Sequence, residues 1–133
     1  AGGSGVLGGL GGIRPDSENG TGERMRMPTV FQMDFPTDGP FGAERAELYK
    51  ELAASIATEP GLLWKIWTEN PTDRLAGGIY LFADEASARA YAEMHLKRVE
   101  ARGVTSIRAL FFDVIEPLTA ITRGPVAGAP SAS

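Results

Sequence analysis

The sequence predicts an α+β fold of the ferredoxin-like kind, a βαββαβ protomer with one antiparallel four-stranded sheet and two helices. Three features predict it. Short runs rich in branched and aromatic residues alternate with period two, as half-buried strands do. Two longer stretches carry apolar residues at helical spacing. Gly, Pro, Asn and Asp clusters separate them and supply turn chemistry at each junction.

The elements follow in order. "TVFQMDF" from Thr29 reads as the first strand, and "PTDGPFG" as the turn after it. "AERAELYKELAASIA" reads as one helix with Leu48, Leu52 and Ile56 on its buried stripe, stopped by "TEPG". "GLLWKIWTEN" is the second strand, "NPTDR" a turn and "LAGGIYLF" the third strand. Asp84 is a good N-cap for the helix "EASARAYAEMHLKRVEAR", and Gly103 is its stop. "TSIRALFFDVI" closes the sheet as the fourth strand.

Side chains on a strand point alternately to opposite faces, so the tryptophans of "WKIW" must diverge. Leu62, Trp64 and Ile66 fall on one side; Leu63, Lys65, Trp67 and Glu69 fall on the other. Leu75, Ile79 and Leu81 oppose Tyr80 and Phe82, and Phe111 and Phe112 stand back to back. Both faces of the sheet are therefore largely apolar, while two helices cover only one. A large aromatic buries on the order of 150–250 Å², so several left open would exceed the patch a soluble monomer tolerates. A second copy packed sheet to sheet by two-fold symmetry solves this, and a homodimer approaching a barrel is expected. The simpler alternative is a curled sheet partly covered by the C-terminal tail.

Composition bounds the function. The 133 residues and 43% hydrophobic content suit one globular domain. A net charge of -4 with scattered basic residues leaves no electrostatic footprint for nucleic acid or an anionic membrane. No apolar run reaches the roughly 18 residues of a membrane span. The absence of cysteine excludes thiolate, disulfide and iron–sulfur chemistry and fits a reducing, cytoplasmic location. Residues 1–27 read as a flexible glycine-rich leader, either vector-derived or an upstream extension, because Met25 and Met27 both make natural starts; no signal peptide is expected. Residues 28–123 form the domain, and 124–133 a flexible small-residue tail.

The chemical inventory is short. One histidine and no cysteine cannot build a two-His-one-carboxylate iron site or a structural zinc site within one chain, so no metal is expected. No dinucleotide fingerprint and no Ser-His-Asp context is present. His95 falls in register with Ala88, Tyr91 and Val99 and should face the sheet. There it is either a packed structural residue or a general base or haem ligand. Arg98 and Tyr80 are candidates for catalytic contacts to an oxyanion. Trp64, Trp67, Phe82, Tyr91 and Asn70 are candidates for binding a flat aromatic or polyketide-like ligand between helices and sheet, with only one tryptophan reaching the pocket. Gly77 and Gly78 lie inside a strand, where glycine marks a bulge or a close approach rather than a phosphate loop.

The blocks "DGPFG", "EPGLLWKIWTEN", "AGGIYLFADEASARAYAEMH" and "FDVIEPLTAI" closely resemble the YdhR-type monooxygenase family of the dimeric α+β barrel superfamily. The similarity runs from about Thr29 to Thr122. It implies a ferredoxin-like protomer and a face-to-face homodimer. It also implies, by analogy with small oxygenases that convert polyketide phenols to quinones, a monooxygenase working without metal or flavin through substrate deprotonation and O₂. No catalytic set transfers with the resemblance, so the residues above rest on position. Two alternatives remain open: a haem-degrading monooxygenase, in which a helix histidine such as His95 binds iron, and a non-enzymatic dimeric small-molecule-binding module.

Overall fold

The structure, a computed structural model, describes residues 27–126. The glycine-rich leader up to residue 26 and the chain from residue 127 lie outside the described residues. Strands β1 (Thr29–Pro36), β2 (Leu62–Asn70), β3 (Leu75–Phe82) and β4 (Arg108–Asp113) form one sheet in the order β2-β3-β1-β4, every neighbouring pair antiparallel. This is the ferredoxin-like arrangement the strand and helix pattern predicts. Helices α1 (Gly42–Leu48) and α2 (Lys50–Ile56) connect β1 to β2, α3 (Glu85–Ala101) connects β3 to β4, and α4 (Glu116–Ile121) follows β4. No helix among the described residues is long and apolar enough to cross a membrane.

Register sorts the side chains onto two faces. On the helix-covered face Phe31 lies opposite Tyr80 and Phe111, Met33 opposite Gly78, and Lys65 opposite Tyr80. Ala88, Tyr91, Ala92, His95 and Val99 of α3 pack down on this face, the stripe the helical spacing predicts. Phe31 stacks on Phe111 and lies 5.2 Å from the Tyr80 ring, which in turn is 5.1 Å from Tyr91. The Asp84 carboxylate caps α3 by accepting from the Ser87 amide at 2.7 Å.

Four local features differ from the sequence reading. A bulge between Leu62 and Trp64 makes Leu63 the extra residue, so Leu62 sits opposite Phe82 and joins the core instead of sharing a face with Trp64 and Ile66. The first helix is distorted at Tyr49, whose ψ of 15° divides it into α1 and α2 while the bonds from Tyr49 N to Arg45 O and from Ala53 N to Tyr49 O carry on through the break. Its inward stripe is Arg45, Tyr49, Leu52 and Ile56; Leu48 is 60% exposed, because Tyr49 turns in to stack on Trp67 at 6.4 Å. Strand β4 begins only at Arg108, since Ser106 at φ 56° bends the chain just before it. Finally, "EPLTAI" forms α4, with its proline in the first turn where no amide donor is needed.

The opposite face carries Val30 and Gln32 from β1, Trp64 and Ile66 from β2, Ile79 and Leu81 from β3, and Leu110 and Phe112 from β4. Ile66 is 52% and Phe112 45% exposed there. The C-terminal segment lies over only one end: the Trp64 indole donates to the Pro125 carbonyl at 2.8 Å, and Gly124 N bonds Thr119 O. Gly124 and Pro125, the first residues of the expected flexible tail, are thus held by the domain.

Candidate active site

Between sheet and helices, the close packing around Phe31 and Phe82 gives way to a cavity of about 180 Å³ near the middle of β2. Met33, Lys65, Trp67, Tyr80, His95 and Val99 wall it. Gly78 of β3 lies under the lysine stem: a Cβ there would stand 2.6 Å from Lys65 Cε, so the stem would have to shift for any other residue. Gly77 has its own reason, since a Cβ would run into the Met33 carbonyl. The glycine pair marks close approach, as its place inside a strand predicts.

A groove of about 500 Å³ adjoins the cavity between α1, α2 and the far half of β2. Arg45, Tyr49 and Trp67 border both spaces. The groove is held open by Glu69, whose carboxylate accepts from the Gly42 amide at 3.0 Å and so pins the start of α1, which has no side-chain cap of its own, to β2. An engineered cavity of about 150 Å³ holds benzene. The inner space therefore accommodates one aromatic ring, and a larger fused system extends into the groove.

Three cavity groups, His95, Tyr80 and Lys65, are displaced from their ordinary behaviour. His95 is 5% exposed, stacked on Tyr91 at 5.0 Å, and 2.8 Å from Arg98 through Nδ1. A guanidinium only donates, so Nδ1 accepts and the ring proton is assigned to Nε2. Burial, then Arg98, Lys65 and Arg102, push the His95 pKa down to about 3. His95 is consequently a neutral hydrogen-bond donor, not the base that its residue type offers. Tyr80 accepts from the Tyr91 hydroxyl at 3.3 Å, and burial in the first place pushes both phenols above the ordinary tyrosine value. Lys65 is shifted the other way: burial, then repulsion from Arg98 and Arg45, lower its amine to about 7.

Of the residues singled out from sequence, the structure brings Trp67, Tyr80 and His95 to the cavity wall, with Arg98 directly behind His95. Phe82 and Tyr91 are buried in the core around Tyr80, 6.1 and 5.1 Å from its ring. Trp64 lies on the other face of the sheet, held by Pro125. Asn70 is engaged in the β2–β3 turn, its side chain accepting from the Asp73 amide and donating to the Asp73 carboxylate. Trp64 and Asn70 are therefore placed away from this cavity. Lys65, Arg45 and Tyr49 are the residues that sequence reasoning missed. Their signals were a lysine in register with Trp67 within the apolar half of β2, and an Arg–Tyr pair at helical spacing.

No group of three or more His, Cys, Asp or Glu residues able to hold a metal ion occurs among the described residues. The inner space of about 180 Å³ is by itself smaller than a tetrapyrrole, and Nδ1 of His95 is already engaged by Arg98.

The sequence matches the family described as "Putative mono-oxygenase ydhR" over residues 30–125. The chain belongs to this family. Curated proteins yield no match. Among solved structures, a single-substitution variant of SnoaB, a cofactor-independent oxygenase from Streptomyces nogalater, aligns with 21% identity over 66% of this chain and 93% of that one, with a TM-score of 0.50. A protein of unknown function from Nitrosomonas europaea aligns with 16% identity over 68% of this chain and 92% of that one, with a TM-score of 0.47. The likeness to SnoaB supports the ydhR-type α+β fold described above.

Proposed function

We propose that this ydhR-family chain is a monooxygenase acting on an aromatic or polyketide-like phenol without metal or flavin. The observation that carries the reading is the aromatic-walled cavity, sized for one ring, opening to a groove and lined by hydrogen-bonding groups, His95, Tyr80 and Lys65. Triplet O₂ reacts with an organic molecule by one-electron steps, and a phenolate is electron-rich enough to supply them. For a methylene flanked by aromatic rings the balance closes without an outside reductant. The CH₂ becomes C=O, one oxygen atom stays in the product, the other leaves as water, and all four electrons come from the substrate. In this reading Trp67 walls the ring, while the Nε2–H of His95 and the Tyr80 hydroxyl donate to substrate oxygen; Arg98 acts from behind by holding His95 in the donor tautomer.

The working unit is a homodimer. The apolar face bearing Ile66, Leu110 and Phe112 is open in the single chain and matches what a second copy would cover. Light scattering should return twice the chain mass, and a stable monomer at working concentrations would refute the dimer.

Oxygen uptake measured against a panel of phenols, anthrones and naphthols tests the activity. One O₂ consumed per product, without added metal or flavin, is the expected result. Binding of these compounds with neither uptake nor product overturns it and leaves a dimeric binding module.

A further inference from the structure

Lys65 stands where a folded protein rarely leaves a lysine. It projects from β2 onto the helix-covered face, its stem crossing Gly78 and its Nζ 3.3 Å from the centroid of Trp67 and 4.5 Å from that of Tyr80. The charged and titratable groups that face it are Arg45 of α1, Tyr49 beyond it, His95, Arg98 and Arg102 along α3 and its end, and Tyr80 of β3. No Asp or Glu lines the cavity, and among the described residues Lys65 makes no ion pair. In a chain whose net charge is -4, this concentration of cations is local; Glu69, which borders the adjoining groove with Arg45, has its carboxylate on the Gly42 amide. Arg98 adds a second unanswered group, an Nε atom that is buried without a hydrogen-bond partner among the described residues. Like charges gathered in a partly dry space raise the free energy until an anion joins them.

We propose that Lys65 is the proton acceptor of the cavity, its neutral amine taking the hydroxyl proton of an acidic phenol and its ammonium then holding the phenolate together with Arg45. The phenol is taken from the functional reading above; the cationic, carboxylate-free cavity is independent of it. In the step the phenol O–H bond breaks, an N–H bond forms on Nζ, and no electrons change hands. The residue types fit these roles unequally. Arginines hold a negative charge but do not exchange protons, His95 already spends its lone pair on Arg98, and Tyr80 and Tyr91 are acids held in their neutral form. Only Lys65 exchanges a proton near neutral pH, because burial, Arg98 and Arg45 keep its amine low. Once a phenolate enters, its charge offsets that repulsion and the amine becomes the stronger base, so transfer and binding reinforce one another.

The test uses 4-nitrophenol, whose anion absorbs in the visible, bound without oxygen in weak buffer just below the probe's own pKa. Wild-type protein should show the phenolate band with little proton release to solvent, because Lys65 takes the proton. Lys65→Met should lose roughly tenfold or more of the bound phenolate at fixed pH, the equivalent of one pKa unit. Lys65→Arg, which keeps the charge but cannot accept, should bind phenolate and release to solvent the protons that the un-ionised share of the probe carries at that pH. The inference is overturned if wild type releases as many protons as Lys65→Arg, if Lys65→Met keeps the band, or if the probe binds only as the neutral phenol or not at all. A phenolate band that depends on Lys65, with no O₂ uptake on any substrate, sinks the oxygenase reading alone. Uptake that is indifferent to Lys65→Met sinks the inference alone.

Discussion

The two faces of the sheet are built from similar residues and end in different states. On the helix-covered face Phe31, Tyr80, Phe82 and Tyr91 interlock at ring distances of 5.1 to 6.3 Å, and the one interruption, at Gly78 and Lys65, is a small cavity with a cationic wall. On the other face Trp64, Ile66, Leu110 and Phe112 line up as regularly, yet only the segment around Pro125 lies against them. Hydrophobicity alone does not separate an internal core from an association surface. What separates them is whether the chain's own connections cross the face. Here the long connections between β1 and β2 and between β3 and β4 hold the helices on one side, and the other side has only a short helix and its following residues.

That contrast is open to direct challenge. Phe31→Ala, on the closed face, should cost about 3–5 kcal/mol of stability, read from the shift of the denaturation midpoint, because a fully buried aromatic leaves a cavity among rings that cannot collapse into it. Phe112→Ala, on the open face, should cost less than about 1 kcal/mol in dilute protein, while Phe112→Glu should weaken self-association at least as strongly as any substitution on the helix side. Equal losses at Phe31 and Phe112 in a monomeric sample would erase the distinction.

The cavity predicts an intermediate effect with a definite pH signature. An unfolded chain keeps the Lys65 proton up to the ordinary lysine value of 10.5, whereas the folded chain gives it up near 7. The unfolded state therefore binds more protons across that window, and the stability linked to this group, fully present above 10.5, is lost as pH falls through about 7. Melting curves kept below about pH 9.5, short of tyrosine ionisation, should show stability rising with pH in wild type and a flatter profile in Lys65→Met. The variant should gain roughly 1–3 kcal/mol at pH 7 or below, where the wild type carries a poorly compensated charge. Parallel profiles would show that the amine is not displaced.

The smallest expected effect sharpens the local end of the argument. Asp84→Ala removes the bond to the Ser87 amide and should lower stability by about 1 kcal/mol. It should leave probe binding at the cavity unchanged, since the cap lies at the opposite end of α3 from His95 and Val99. A loss of binding in this variant would mean that the whole helix, not its last two turns, sets the cavity.

Much of the fold was legible in the chain because the relevant signals are local. "LAGGIYLF" became β3 with the bounds its alternation predicts, and Asp84 capped α3 as its side chain allows. The misread elements were those where a distant contact overrules a local preference. Leu48 fits a helical apolar stripe, but Tyr49 goes inward because Trp67 offers its ring a partner. Leu62 fits the alternation of β2, but a bulge moves it to the face of Phe82. The site was less legible for the same reason. His95 stands out by residue type, yet its tautomer depends on Arg98; Lys65 looks like an ordinary solvated lysine until Gly78 and the helices are seen around it.

The amino-acid order by itself determined the element types, the βαββαβ succession and the two-sided apolarity of the sheet, since propensity, caps and side-chain periodicity act over a few residues at a time. Only the tertiary structure decided which tryptophan meets the cavity, that His95 is a neutral donor, and that Lys65 lies among arginines with no carboxylate opposite. Those outcomes depend on long-range packing and on the electric field of groups distant in sequence, and no local rule contains either.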